Sequence, residues 1–163
     1  MSGNSAKKVI MPRPIETDFL MSLDIKVGDS HILGDTPDGM RRVDILDGGR
    51  FEGPRLRGDV LPGGSDLLLV RTDGSIRTDV RLVLRTDDGA TIVVTYRGSR
   101  HGSEDAMRRI AAGEDVPATD YYLRNAPFFE TAAPDYAWLN HIVSIGLGER
   151  LPGGARYDIY QIL

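Results

Sequence analysis

The chain contains no cysteine. Disulfides, thiolate zinc sites, iron–sulfur clusters and cysteine nucleophiles are therefore excluded. Such usage suits a reducing compartment. No apolar run approaches the ~18 residues that a membrane-spanning helix needs. The opening stretch, MSGNSAKKVIMPRP, has two lysines but no apolar core of a secretory signal. Residues 1–16 read as a flexible leader ended by Pro12 and Pro14, residues 17–163 as one domain, and the expected location is cytoplasmic. Excess positive charge is lacking too. Twenty Lys and Arg stand against 24 Asp and Glu, a formal net charge of −4. That balance argues against a nucleic-acid partner, although a local basic groove is compatible with it.

Familiar catalytic signatures are also missing. There is no G-x-S-x-G elbow, and Ser65 after Gly63-Gly64 lacks the strand–elbow–helix setting. The glycine-rich run has no G-K-[ST] ending, so it is no phosphate loop. The three histidines, His31, His101 and His141, form neither H-x-H nor H-E-x-x-H. No metal and no organic cofactor is expected.

What remains is a soluble composition, 40% hydrophobic and 27% charged, in 163 residues, enough for one domain with a core. Alternation dominates. Phe19, Met21, Leu23, Ile25 and Val27 share one face of a strand. Residues 28–41 are rich in turn formers, and 43–46 suit a short strand. Asp66 to Val70 suits a buried one. Ile76, Thr78, Val80, Leu82 and Leu84 share a face of a long strand, with Arg77, Asp79, Arg81 and Arg85 opposite. Asp87-Asp88-Gly89 turns it into a partner over 90–97. Ser103 can cap a helix with Glu104 and Asp105 in its first turn, a Met107, Ile110, Ala111 stripe, and Gly113 as its stop. Strands over 137–146 and 155–163 join through Leu151-Pro152-Gly153-Gly154. Seven or eight strands with glycine turns indicate a barrel or curved sandwich.

The motifs GGRFEGPRLRGDVLPGGSD (48–66), LRTDDGA (84–90), YRGSRHG (96–102) and YYLRNAPFFETAAPDYAWLN (121–140) resemble a bacterial and fungal family described as a domain of unknown function. The resemblance covers residues 19–163. It implies an all-β fold: a single antiparallel, eight-stranded, calycin-like β-barrel with one short helix and a central cavity. It implies no settled activity. Gly53, Gly58 and Gly63 then read as relief for strand curvature at a barrel corner, with Phe51 and Arg55 near the cavity.

If the polar face of strand 76–86 lines the cavity, Asp79 is a confined carboxylate between Arg77 and Arg81, fit for proton transfer. The alternative is a solvated outer Arg–Asp ladder of little energetic consequence. Arg97 and Tyr122 could polarise an oxygen, which completes a catalytic set of Asp79, Arg97 and Tyr122. Phe51, Arg55, Tyr96, Arg100, His101, Tyr121, Arg124, Trp138 and Asn140 are the substrate-binding candidates. Trp138, Asn140, Ile142 and Ser144 share one strand face in this reading. Aromatics filling a core and arginines capping loops are the alternative for that cluster. Three functions compete. One is a cofactor-independent isomerase, cyclase or lyase acting on a small oxygenated, largely apolar molecule. The others are a ligand-binding carrier or sensor, and a structural or assembly protein. A homo-oligomer is compatible with each, and no membrane partner is expected.

Overall fold

The computed structural model describes residues 11–163. The leader reading for residues 1–10 lies outside the described residues, and residues 11–16 are exposed and form no helix or strand. The strands are β1 (Thr17–Thr36), β2 (Gly39–Glu52), β3 (Arg57–Val70), β4 (Ile76–Thr86), β5 (Thr91–Gly102), β6 (Tyr121–Glu130), β7 (Ser144–Leu151) and β8 (Gly154–Ile162). Each pairs antiparallel with its neighbours in sequence, and β8 pairs with β1 to close an eight-stranded barrel. Closure leaves no open edge. The helix is α1 (Glu104–Ala111), and Ser103 Oγ accepts the Ala106 N–H at 3.1 Å as the capping argument requires. Ala106 and Ile110 are its buried side chains, while Ala111 is exposed.

Antiparallel order sorts the connections between two ends. The upper end holds the β1–β2, β3–β4 and β7–β8 turns and the α1 connection. The lower end holds residues 53–56, 87–90, 131–143 and both ends of the described chain. Inward positions in the lower part are nearly all apolar; Thr86 and Ser144 are buried there too, and their hydroxyls bond the Ala90 and Pro127 carbonyls. Met21, Leu23, Phe51, Leu82, Leu84, Ile92, Val94 and Ile159 are all buried. Leu139 and Leu56 join them from the lower connections.

Three expectations need correction. First, Phe19 does not share a face with Met21. A bulge lies between them, so Phe19 is 42% exposed and Leu20 is buried instead. A bulge adds one residue and so reverses the phase of alternation on one side of it. Second, residues 28–41 are mostly strand. β1 runs on to Thr36 and turns tightly into β2 at Gly39. Third, residues 134–141 form a 3-10 helix across the lower end, and β7 starts only at Ser144. Pro134 occupies its first turn, where the missing N–H costs nothing.

The glycine-rich run is a strand pair, β2 and β3, joined by a turn at 53–56. At Gly49 φ is +148°, and a Cβ there would lie 1.9 Å from the Asp24 carbonyl oxygen of β1. Only glycine admits that approach. Gly63 has φ of +100° but open space around it. Gly49→Ala is therefore expected to destabilise by about 3 kcal/mol or more. Gly63→Ala, which incurs backbone strain alone, is expected to cost about 1 kcal/mol. Urea unfolding of both variants checks this, and equal losses would refute the steric account.

Candidate functional site

The upper third of the lumen departs from the apolar pattern. Arg42 and Asp44 point inward from β2, Asp66 from β3, Thr78 from β4, Tyr96 and Arg100 from β5, Arg150 from β7 and Tyr157 from β8; all line one cavity. Alternation places them there, because each shares its face with core residues such as Leu46, Leu68 and Val80. The enclosed volume is about 30 Å³, room for a water molecule.

Asp44 and Asp66 are cross-strand partners. Like charges directly opposite are unfavourable, and the two carboxyls are treated differently. Asp44 is held by Arg42 Nε at 3.0 Å and by the Ser30 hydroxyl at 2.6 Å. Asp66 accepts the Asp79 backbone N–H at 2.9 Å. No arginine or lysine nitrogen among the described residues lies within 4.0 Å of it. Burial first, and the Asp44 charge next, push its carboxyl up to about 6 against those weaker favourable contacts. Burial, with Arg150 and Arg42 adding like charge, pushes the Arg100 guanidinium down to about 10. Tyr96 and Tyr157 face one another with ring centroids 5.5 Å apart. Burial, with the Asp66 charge, pushes the Tyr157 phenol up to about 12. Burial likewise drives Tyr96 well above its ordinary value. Both remain O–H donors at neutral pH.

Several donors here lack partners. Thr78 Oγ1, Arg100 Nε and Arg150 Nε line the cavity and are buried without one. Unmatched buried polar groups are few in folded proteins and call for an explanation. Collected round one carboxyl, they offer hydrogen bonds to an oxygen the protein itself does not supply.

Of the substrate-binding candidates, Tyr96 and Arg100 belong to this end, and the Tyr121 hydroxyl there accepts the Arg150 N–H at 2.7 Å. Asp79 does not. It faces outward, 3.4 Å from Arg97 Nε and 3.7 Å from Arg81 Nη1. Inward positions on β4 are Thr78, Val80, Leu82 and Leu84, so the outer Arg–Asp ladder is the arrangement observed. Arg97 and Tyr122 are on the same outer wall. There the Tyr122 ring stacks on His101, at 4.8 Å, and also has the Arg124 guanidinium 5.0 Å from its centroid. Phe51 is buried in the lower core, and Arg55 lies 3.6 Å over the Trp138 ring at the lower end. Asn140 is exposed and bonds the backbone of Thr131 at 2.9 Å. These four are remote from Asp66: Phe51 and Arg55 sit at the lower-end β2–β3 turn, and Trp138 and Asn140 in a lower-end 3-10 helix rather than a strand. Among the described residues no three His, Asp or Glu side chains gather as a metal site requires.

Sequence reasoning missed Asp66, Asp44, Arg42, Arg150, Tyr157 and Thr78. One signal was available. Asp44 alternates with Leu46, and Asp66 with Leu68, so each carboxyl shares the phase of a core leucine.

The family described as "Protein of unknown function (DUF3237)" matches residues 15–162. A UPF0311 protein of Rhodopseudomonas palustris is 31% identical over 153 residues, 94% of this chain and 100% of that one. A crystal structure of a conserved protein of unknown function from that organism has a TM-score of 0.88 at 31% identity, with 94% and 100% coverage. A β-barrel-like protein from Acinetobacter baumannii has a TM-score of 0.82 at 37% identity, covering 94% of this chain and 99% of its own. The hydroalkoxylation enzyme phnH of Penicillium herquei is 29% identical over 135 residues, 83% of this chain and 75% of that one. The structure of an enzyme from that fungus has a TM-score of 0.70 at 26% identity, with 96% and 100% coverage.

The raised carboxyl fixes a pH dependence. Asp66 goes from 3.8 to about 6 on folding, so the folded state binds more protons between these values. Its contribution is fully present below about pH 4 and is lost as the pH rises through about 6, roughly 3 kcal/mol in all. Asp66→Asn, which can still accept the Asp79 N–H, is expected to flatten that fall. Urea midpoints measured from pH 4 to 7.5 check it, and an unchanged slope in the variant would assign the effect elsewhere.

Proposed function

The chain belongs to the DUF3237 family of proteins of unknown function, and we propose that the upper end of its lumen is the active site of a proton-transfer enzyme. The substrate is a small, oxygenated, largely apolar molecule. One observation carries the reading: Asp66, desolvated, without an ion pair and with its carboxyl raised to about 6, is surrounded by unpartnered donors. A group poised near the working pH gives and takes protons efficiently.

The Penicillium herquei relative named as a hydroalkoxylation enzyme supports this chemistry. Hydroalkoxylation adds an O–H across a C=C bond and needs no oxidant or reductant. In the reaction proposed here, Asp66 in its acid form gives its proton to an alkene carbon, and the π bond breaks. A hydroxyl oxygen of the same substrate bonds the adjacent carbon, and its proton returns to Asp66. Arg100 and Arg150 hold the substrate oxygen, and Tyr96 and Tyr157 donate neutral O–H bonds as charge develops. The same apparatus serves isomerisation, in which a different carbon returns its proton to Asp66, and elimination, which is the addition run in reverse. The enclosed 30 Å³ admits such a substrate only as the Arg42 side chain swings from the mouth. Arg42 is 34% exposed, and in swinging it exchanges its Asp44 ion pair for solvent.

The test uses a panel of alkenyl phenols, starting with 2-allylphenol, in D₂O. Wild-type protein is expected to yield cyclic ether with one deuterium on carbon, kcat/KM falling as the pH rises through about 6. Asp66→Asn, with circular dichroism unchanged, is expected to lose about 10²- to 10⁴-fold in kcat. Full turnover in that variant would remove Asp66 from its role. Binding across the panel with neither turnover nor deuterium exchange would favour a carrier.

A further inference from the structure

We propose that the outer wall over β5, β6 and β7 carries a second site, separate from the lumen, that binds a flat organic anion of the aromatic carboxylate class. A groove of about 590 Å³ runs there, lined by Arg71, Arg77, Arg97, Arg124, Ile145 and Leu147, with Tyr122 at its side. That volume is in the range of small-molecule sites, and far exceeds the lumenal cavity.

The groove is positive in a chain whose formal charge is −4. Four guanidinium groups line it. Asp79 is the only carboxylate within 4.0 Å of any of them among the described residues, through Arg97, and it is shared with Arg81. Arg77 and Arg124 are brought into line by register: Arg77 pairs with Ser99, Ser99 with Arg124, and Arg124 with Leu147. This row sets two rigid forks on one side of the groove and an apolar surface on the other. Such forks match a carboxylate in geometry as well as charge.

The apolar side asks for a flat body. Ile145 is 37% and Leu147 42% exposed, beside the Tyr122 ring, itself 44% exposed. His101 and Arg124 already pack against that ring, so it is held in place and presents its exposed edge to the groove. The seam beneath the groove is weakly paired: β6 and β7 join through only Arg124–Leu147 and Asn125–Gly146. The Asn125 side chain turns inward there with Leu123 and Pro127, so Arg124, Ile145 and Leu147 are what the seam presents outward. The groove thus offers guanidinium forks and a fixed aromatic ring together.

Isothermal titration with 2-naphthoate tests the proposal, with 2-naphthamide as the neutral isostere. Wild-type protein is expected to bind the naphthoate at least tenfold more tightly than the amide. Arg77→Ala and Arg124→Ala are each expected to weaken naphthoate about tenfold, and Asp66→Asn to leave it unchanged. Arg124→Gln gives a second reading of the same contact if the alanine variant is unfolded. Equal affinity for the amide would overturn the anion requirement. Loss through Asp66→Asn but not through the arginine variants would place the ligand in the lumen and overturn the second site. Inorganic phosphate binding as tightly as naphthoate would overturn the aromatic part. Absence of naphthoate binding to a chain that sediments as a dimer would assign the groove to a second copy and overturn the proposal.

Discussion

The interior of a closed eight-stranded barrel is only wide enough for side chains to fill. Inward positions are therefore largely withdrawn from water whatever their chemistry. In the lower part these positions are Met21, Leu23, Phe51, Leu82 and Ile92, and burial stabilises the fold. In the upper part they are Arg42, Asp44, Asp66, Arg100 and Arg150, and burial is costly. The perturbed carboxyl, the depressed guanidinium and the unpartnered donors all follow from that one geometric restriction. A wider barrel would leave the same residues solvated and unremarkable.

The same restriction explains what could be read from the sequence. The β4–β5 hairpin was legible because Asp87-Asp88-Gly89 joins two uninterrupted alternations, and Leu82 does pair with Val94. Ser103 and Gly113 marked the helix, since capping is decided locally. Phe19 was misplaced because a bulge reverses phase without a sequence mark of its own. Trp138 and Asn140 were misplaced because an aromatic-rich stretch alternates by chance, and only the lower end of the barrel makes it a plug. Asp79 looked more catalytic than Asp66 because it has arginine neighbours two residues away on either side. Asp66 has none, and its meaning depends on Asp44, a partner 22 positions distant that register alone supplies.

Arginine is distributed unevenly for a mildly acidic chain. Arg42, Arg100 and Arg150 enter the lumen while Arg71, Arg77, Arg97 and Arg124 line the outer groove. The barrel wall stands between the two sets, and β4 shows both of its faces. Thr78 looks into the lumen, Asp79 looks out toward Arg97, and the Asp79 backbone N–H reaches across to Asp66 Oδ1 at 2.9 Å. That bond links the wall that carries the outer ion pair to the carboxyl inside. It also opposes the upward push on Asp66, since a donated N–H favours the charged carboxylate.

The balance around Asp66 has a mechanistic consequence. Desolvation and Asp44 raise its carboxyl, while Arg100 and Arg42 lower it. In the proposed mechanism an oxygen of the substrate accepts hydrogen bonds from Arg100 and Arg150 through its lone pairs. That oxygen offsets part of the attraction the guanidinium groups exert on the carboxylate, so the proton on Asp66 is held more firmly in the occupied site. Entry of the substrate also displaces whatever water the mouth contained, which deepens the desolvation in the same direction. Both effects favour the acid form when there is something to protonate. They relax once the product leaves. The empty site, with its carboxyl near 6, is then free to exchange its proton with solvent. An apolar residue at position 66 would pack more favourably against Leu68 and Val80, but it would have no proton to hold.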